Sequence, residues 1–240
     1  MPTEKFTNIY KVLKDRILSE EYPNGAYIPS EHMLIEEFSC SRNTVRRAIS
    51  QLADEGFVQS MRGKGVIVIW VRPVQSEFAF SDVETLREAA ARNKMSYETK
   101  VRVFLETEVD SRIARRTGFP VGEKVVYLQR IRIIDNIPMI IDNNWFLADS
   151  VQGLTKEIAE NSVYDYIENV LGVRILTTLR RLTVEKRTEA DEKILKMNDY
   201  DCVAVVSSKT YDMNGLMFEY TESRHRPDKF IFYSQARRKG

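Results

Sequence analysis

The sequence predicts an α+β chain in two parts, a small N-terminal unit of three helices closed by a β-hairpin and a larger, mainly antiparallel sheet with flanking helices. Apolar residues near the N-terminus recur every three or four positions, as one face of a helix requires. From Thr99 onward, runs rich in β-branched and aromatic residues alternate with turn signals. Between the two patterns, Val71-Arg72-Pro73-Val74-Gln75-Ser76-Glu77 holds proline and polar residues with no sustained period. The expected organisation is residues 1–70, a linker over 71–77 and a second domain over 78–240, and 240 residues suffice for two ordinary cores.

Phe6, Ile9, Leu13 and Ile17 define the first helix. Tyr22-Pro23-Asn24-Gly25 ends it, because proline cannot continue the hydrogen-bond ladder and Asn-Gly accepts turn dihedrals. Ser30 caps a short second helix with Leu34 and Phe38 on its apolar side and Glu31 near its positive end, stopping near Ser39. Ser41 caps a third helix, in which Val45, Ala48, Ile49 and Leu52 form the buried stripe and Gly56 the stop. The opposite face then carries Arg42, Asn43, Arg46, Arg47 and Ser50, side chains able to meet phosphates or purine edges. Two short helices joined by a tight turn, the second basic on its outer face, suit a helix placed in the DNA major groove. Phe57–Ser60 and Val66–Ile69 flank Arg62-Gly63-Lys64-Gly65 as a β-hairpin whose glycines allow close approach and whose Arg62 and Lys64 supply positive charge. The unit therefore reads as a winged helix-turn-helix. A nucleotide-binding phosphate loop is the competing reading of the glycine-rich tip, but such a loop opens a helix and this one opens a strand.

The net charge of +1 does not by itself indicate a nucleic-acid partner. Its distribution is more informative: residues 42–72 hold Arg42, Arg46, Arg47, Arg62, Lys64 and Arg72 against Asp54 and Glu55. Charge alone leaves a solvated face and a DNA surface equally open. Pro29-Ser30-Glu31, Ser41-Arg42-Asn43-Thr44-Val45-Arg46-Arg47-Ala48, Leu52, Glu55-Gly56 and Arg62-Gly63-Lys64-Gly65 together resemble the DNA-binding domain of the GntR family of bacterial repressors. The resemblance implies a homodimer on a palindromic operator of double-stranded DNA. It implies a DNA-binding set of Ser30, Glu31, Ser41, Arg42, Asn43, Thr44, Arg46, Arg47, Arg62, Gly63 and Lys64, led by Arg42 and Arg46.

In the larger part, residues 99–109, 124–134, 137–146, 177–185, 202–211 and 216–223 read as strands. Asp135-Asn136 and Asp212-Met213-Asn214-Gly215 are hairpin turns, and helices are expected around 83–92, 110–117, 162–171 and 189–196. In the second strand, Val126, Leu128, Arg130 and Arg132 share a face by the two-residue period, so two guanidiniums emerge from an apolar row. A buried guanidinium needs an anion, and either a phosphate or carboxylate ligand or the domain's own Asp and Glu residues meets that need. Asp142 on the paired strand, Ser162 capping the helix that bears Tyr164, and Glu219 on a later strand complete a set suited to an anionic, hydroxyl-rich molecule. Arg226 is a further candidate.

Leu128-Gln129-Arg130-Ile131-Arg132, Ser162-Val163-Tyr164-Asp165-Tyr166-Ile167 and the run Glu219 to Arg226 resemble the effector-binding (UTRA) domain of the HutC branch of the same family, which has a chorismate-lyase-like fold. Tyr220 to Phe230 and Asn161 to Glu168 are similar to the trehalose operon repressors of Gram-positive bacteria. That resemblance implies trehalose 6-phosphate as effector, bound by Arg130, Arg132, Asp142, Ser162, Tyr164, Glu219 and Arg226.

A sugar-phosphate enzyme of that fold is the alternative from another class, but fold does not establish catalysis. His32 lies in the N-terminal unit, His225 reads more readily as a structural or surface histidine than as a catalytic base, and hydroxyl binding is the simpler role for Asp142 and Glu219. An architectural DNA binder whose larger domain only dimerises is a third reading, in which Arg130 and Arg132 are paired internally. Cys40 and Cys202 fall in different parts, so neither a disulfide nor a metal site is expected, and no cofactor is implied. No stretch approaches the roughly 18 apolar residues of a membrane span, so a cytoplasmic protein is expected.

Overall fold

Ile9, Leu13 and Ile17 are buried along one side of helix α1 (Pro2–Leu18) in the computed structural model of the chain, which describes residues 2–71, 78–79 and 96–233. Residues 72–77 of the linker expected over 71–77, the helix expected over 83–92 and residues 234–240 lie outside the described residues. The rest forms two units, 2–71 and 78–233.

In the first unit, Ser30 accepts from the Met33 amide and caps α2 (Glu31–Phe38), and Ser39 ends it in the left-handed region at φ 45°. Ser41 likewise accepts from the Thr44 amide and caps α3 (Arg42–Asp54). Each cap satisfies an amide that the first turn leaves without a partner. Val45, Ala48, Ile49 and Leu52 turn inward to meet the α1 stripe and Leu34. β1 (Val58–Met61) and β2 (Gly65–Val68) pair antiparallel, and Gly63 at φ 74° and Gly65 at φ 113° turn the hairpin where a side chain would be strained.

The second unit is a six-stranded sheet in the order β4-β5-β6-β9-β8-β7, with every neighbouring pair antiparallel. The strands are β4 (Tyr97–Glu108), β5 (Lys124–Ile134), β6 (Ile137–Leu147), β7 (Ile175–Lys186), β8 (Cys202–Asp212) and β9 (Met217–His225). The six expected strands are all present, with ends moved by about one or two residues. A short parallel pair joins β3 (Phe78–Ala79) to β10 (Phe232–Tyr233). The expected helices beyond residue 96 are α4 (Ser111–Thr117), α6 (Val163–Asn169) and α7 (Glu189–Leu195); α5 (Lys156–Asn161) was not expected. On one side of the sheet, Ala159 of α5 and Val163 and Ile167 of α6 close a core with Val126, Leu128 and Phe146.

Register decides which polar groups share that side. Asp135 and Asn136, at φ 49° and 65°, form the tight turn between β5 and β6, and Ile134 faces Ile137. Without interruption this pairing would set Arg130 opposite Ile141. A bulge intervenes, with Ile133 opposite Pro138 and Arg132 opposite Ile140, leaving Met139 as the extra residue. Proline cannot donate to the ladder, so a bulge is where a paired strand accommodates it. The one-residue shift moves side chains to the other face. It sets Asp142 opposite Arg130 and Asn144 opposite Leu128, on the arginine side.

Candidate functional site

Two surfaces carry chemistry, one in each unit. On the first, Arg42, Asn43, Arg46 and Arg47 project from the outer side of α3, while Val45 and Ala48 between them are buried. Glu31 of α2 accepts from Arg42 Nε at 2.9 Å and lies 3.3 Å from Arg46 Nε, so the outer edges of both guanidiniums remain for another acceptor. Arg47 instead stacks over the Phe6 ring at 4.4 Å. Thr44 is turned to its cap, its hydroxyl 2.8 Å from that of Ser41. Ser30 and Ser41 therefore act first as caps that fix the starts of the two helices. Arg62, Gly63 and Lys64 are all exposed at the hairpin tip.

On the second surface, the aligned residues of β4, β5, β6, β9 and β8 bring Thr99, Arg130, Arg132, Asp142, Asn144, Glu219, Thr221, Ser223 and Thr210 to one face. Arg132 Nε donates to Asp142 Oδ2 at 2.6 Å and its Nη1 to Thr99 Oγ1 at 2.8 Å. Ser223 Oγ donates to the other Asp142 oxygen at 2.6 Å. Asp142, expected to meet a sugar, is thus already engaged by two protein partners. Burial pushes the Asp142 carboxyl up, but the Arg132 and Arg130 charges and the two hydrogen bonds outweigh it and hold it below the usual carboxylate range.

Arg130 is placed differently. It is 6% exposed, its Nε donates to Asn144 Oδ1 at 3.0 Å, and no carboxylate among the described residues lies within 4.0 Å of its guanidinium nitrogens. Burial, and then the like charge of Arg132, lower it to about 10, so at neutral pH it still carries its charge. Glu219 is 2% exposed and surrounded by donors: Tyr164 Oη at 2.5 Å, Thr221 Oγ1 at 2.6 Å and Asn144 Nδ2 at 3.3 Å. Burial and the adjacent Glu219 carboxylate raise the Tyr164 hydroxyl well above its usual value, so it remains a donor. Tyr164 also lies 3.2 Å from Thr210 Oγ1.

Ser162 caps α6, accepting from the Asp165 amide at 3.2 Å. Arg226 stands apart at the far end of β9, where Asp228 takes its Nε at 3.1 Å and its Nη2 at 2.8 Å. The structure thus brings Arg130, Arg132, Asp142, Tyr164 and Glu219 to one face and leaves Arg226 in a local pair. Asn144, Thr99, Thr221, Ser223 and Thr210 were not singled out from the sequence, although the two-residue period that exposed Arg130 and Arg132 also links Asp142 to Asn144. Among the described residues there is no cluster suited to a metal ion and no helix long and apolar enough to cross a membrane.

Residues 5–68 match the model of bacterial regulatory proteins of the gntR family, and residues 92–231 match the UTRA domain. The chain belongs to the GntR family. It has the UTRA domain of the HutC type, and it is 34% identical over 99% of both chains to the HTH-type transcriptional regulator TreR of Bacillus subtilis. It is 25% identical to the HTH-type transcriptional repressor NagR of the same organism, over 96% of this chain and 94% of that one. The solved effector-binding domain of the B. subtilis trehalose repressor (TreR) superposes with a TM-score of 0.54 at 35% identity, covering 60% of this chain and 99% of that domain. The possible transcriptional regulator YydK of B. subtilis shares the fold across 97% of this chain and 99% of its own, at a TM-score of 0.81 and 19% identity. These relatives are regulators, not enzymes, and this GntR protein is a DNA-binding transcriptional regulator with a small-molecule effector domain.

Proposed function

We propose that this GntR regulator represses a sugar-utilisation operon, that of trehalose, by binding a palindromic operator as a homodimer in the cytoplasm, and that trehalose 6-phosphate releases it. The observation that carries the effector is the buried, charged Arg130 with no carboxylate of its own, next to the Glu219, Tyr164 and Thr221 cluster. A buried guanidinium with no carboxylate in contact is suited to an anionic ligand, and a carboxylate ringed by hydroxyls matches a sugar. The similarity to a trehalose repressor supports trehalose among phosphorylated sugars. In this reading Arg130, Arg132 and Ser162 serve the phosphate, and Tyr164, Glu219 and Asp142 the sugar; Arg226, held by Asp228, is given no part.

The homodimer is supported by β7, an edge strand of the sheet that leaves Leu176, Leu179, Leu182 and Val184 exposed. An apolar open edge favours pairing with another copy. Two copies also place two α3 helices on adjacent half-sites, as selection of an operator requires. For release, the effector must prefer an arrangement in which the two α3 helices no longer match the operator, since equal affinity for both arrangements shifts neither. Sedimentation of the chain, free and on a duplex it selects from a randomised pool, tests the dimer: a monomer in both states contradicts it. Titrating that complex with a panel of sugar phosphates tests the effector; DNA affinity indifferent to the whole panel would favour a larger domain that only dimerises.

A further inference from the structure

Two arginines on the sheet face are held in the same way by acceptors that differ by one charge. Arg132, opposite Ile140, sends Nε diagonally along β6 to Asp142 at 2.6 Å; Arg130, opposite Asp142, sends Nε diagonally to Asn144 at 3.0 Å. Asp and Asn are nearly isosteric, so the second position repeats the first with the negative charge removed. We propose that Asn144 is the residue that selects an anionic ligand: it holds Arg130 through a neutral oxygen and so leaves that guanidinium's charge for the ligand's phosphate. Asp142 neutralises Arg132 within the protein, which makes Arg132 a positioning neighbour. This inference rests on the reading of the face as a sugar-phosphate site and narrows it, because it assigns the anion to Arg130 and gives the deciding role to a residue without charge.

The surroundings of Asn144 fit that role. It is 1% exposed, and its amide orientation is dictated by chemistry: the guanidinium can only donate to Oδ1, and the Glu219 carboxylate can only accept from Nδ2, which also donates to Thr221 Oγ1 at 2.6 Å. The amide therefore stands between Arg130 and Glu219 and bridges them without letting them close into an ion pair. A buried cation with no carboxylate in direct contact is incompletely compensated, and a bound phosphate relieves that cost where a neutral sugar does not. Burial and the Arg132 charge lower the Arg130 pKa by more than the Asp142 and Glu219 carboxylates, neither of them in direct contact with it, raise it. Discrimination of a phosphorylated sugar from its parent sugar follows from this arrangement.

The test is calorimetry on the full chain and its Asn144→Asp and Asn144→Ser variants. The probes are trehalose 6-phosphate and trehalose, extended to other sugar phosphates beside their parent sugars if trehalose 6-phosphate gives no heat. Asn144→Asp supplies Arg130 with the carboxylate that Arg132 already has. It is expected to lower affinity for the sugar phosphate by ~10–100-fold. The same variant is expected to narrow the preference for phosphorylated over parent sugar, with a single cooperative thermal transition showing that the fold is intact. Asn144→Ser keeps a neutral acceptor and is expected to keep the phosphate preference. Parental sugar-phosphate affinity in a cooperatively folded Asn144→Asp, or an equal loss of preference in Asn144→Ser, would each overturn the assignment. A parent chain that binds no sugar phosphate in the panel would overturn the site reading itself, and the inference with it.

Discussion

The two units of this GntR regulator use arginine in opposite ways. On α3, the side chains of Arg42 and Arg46 are 73% and 66% exposed, so water solvates them and their ion pairs with Glu31 add little to stability. On β5, Arg130 and Arg132 are 6% and 9% exposed, and every donor they carry must find a protein or ligand acceptor. The exposed pair can be altered with consequences for a partner alone. In the proposed reading of the site, the buried pair ties ligand recognition to the folding of its own domain. Substitutions on α3 should change affinity without stability, and those on the sheet face should change both.

The largest expected effect breaks the buried pair. Asp142→Ala leaves Arg132 buried without its counter-charge and should destabilise the larger domain by about 3–5 kcal/mol. Urea unfolding reads this directly, and a midpoint near the parent's would show that water replaces the lost carboxylate. A second buried group gives the domain a pH dependence that α3 has no means to share. Burial lowers His225 from 6.5 to about 4, so between those values the unfolded chain binds more protons than the folded one. Stability should be full above that window and fall as pH drops through it, by on the order of 1.4 kcal/mol per unit. His225→Gln should flatten the fall. Asp142, held below the usual carboxylate range, should add its own loss only at lower pH, below the carboxylate's unfolded value and through its folded one.

Effects on the exposed side are expected to be smaller and confined to DNA. Arg42→Ala or Arg46→Ala should each weaken binding to a selected duplex by about 1–3 kcal/mol. Their free energies of unfolding should stay within about 0.5 kcal/mol of the parent. Normal affinity in both variants would remove α3 as the reading helix. Arg62→Ala and Lys64→Ala at the hairpin tip should weaken binding evenly across sequences and reduce the salt slope by about 1 each, measured by repeating the titration over a range of salt.

The legibility of these two surfaces from sequence differs for a physical reason. The α3 face lies within one helix, so Ser41, the buried stripe and the arginines between its members define it locally, and the structure places them as the spacing required. Arg130 and Arg132 were visible as charges in an apolar strand row. Asn144 was not, because it is uncharged and its meeting with Arg130 depends on a bulge at Pro138 that a plain count from the Asp135-Asn136 turn would miss. Thr221 and Glu219 come from β9, some 75 residues beyond Asn144, and only strand pairing brings them in. Helix α5 escaped notice because it is six residues long, and Ser162, read as the start of the next helix, also ends it.

Whether an anion bound at the buried arginine face is sensed at the exposed one can be read from a single titration. The full chain is bound to a fluorescent duplex that it has selected, and its affinity is measured with and without saturating trehalose 6-phosphate, with trehalose as the neutral control. A coupling of about 1–3 kcal/mol predicts several-fold to roughly a hundredfold weaker DNA binding with the phosphorylated sugar and little change with trehalose. Equal DNA affinity in the presence of a sugar phosphate that calorimetry shows to be bound would contradict the account.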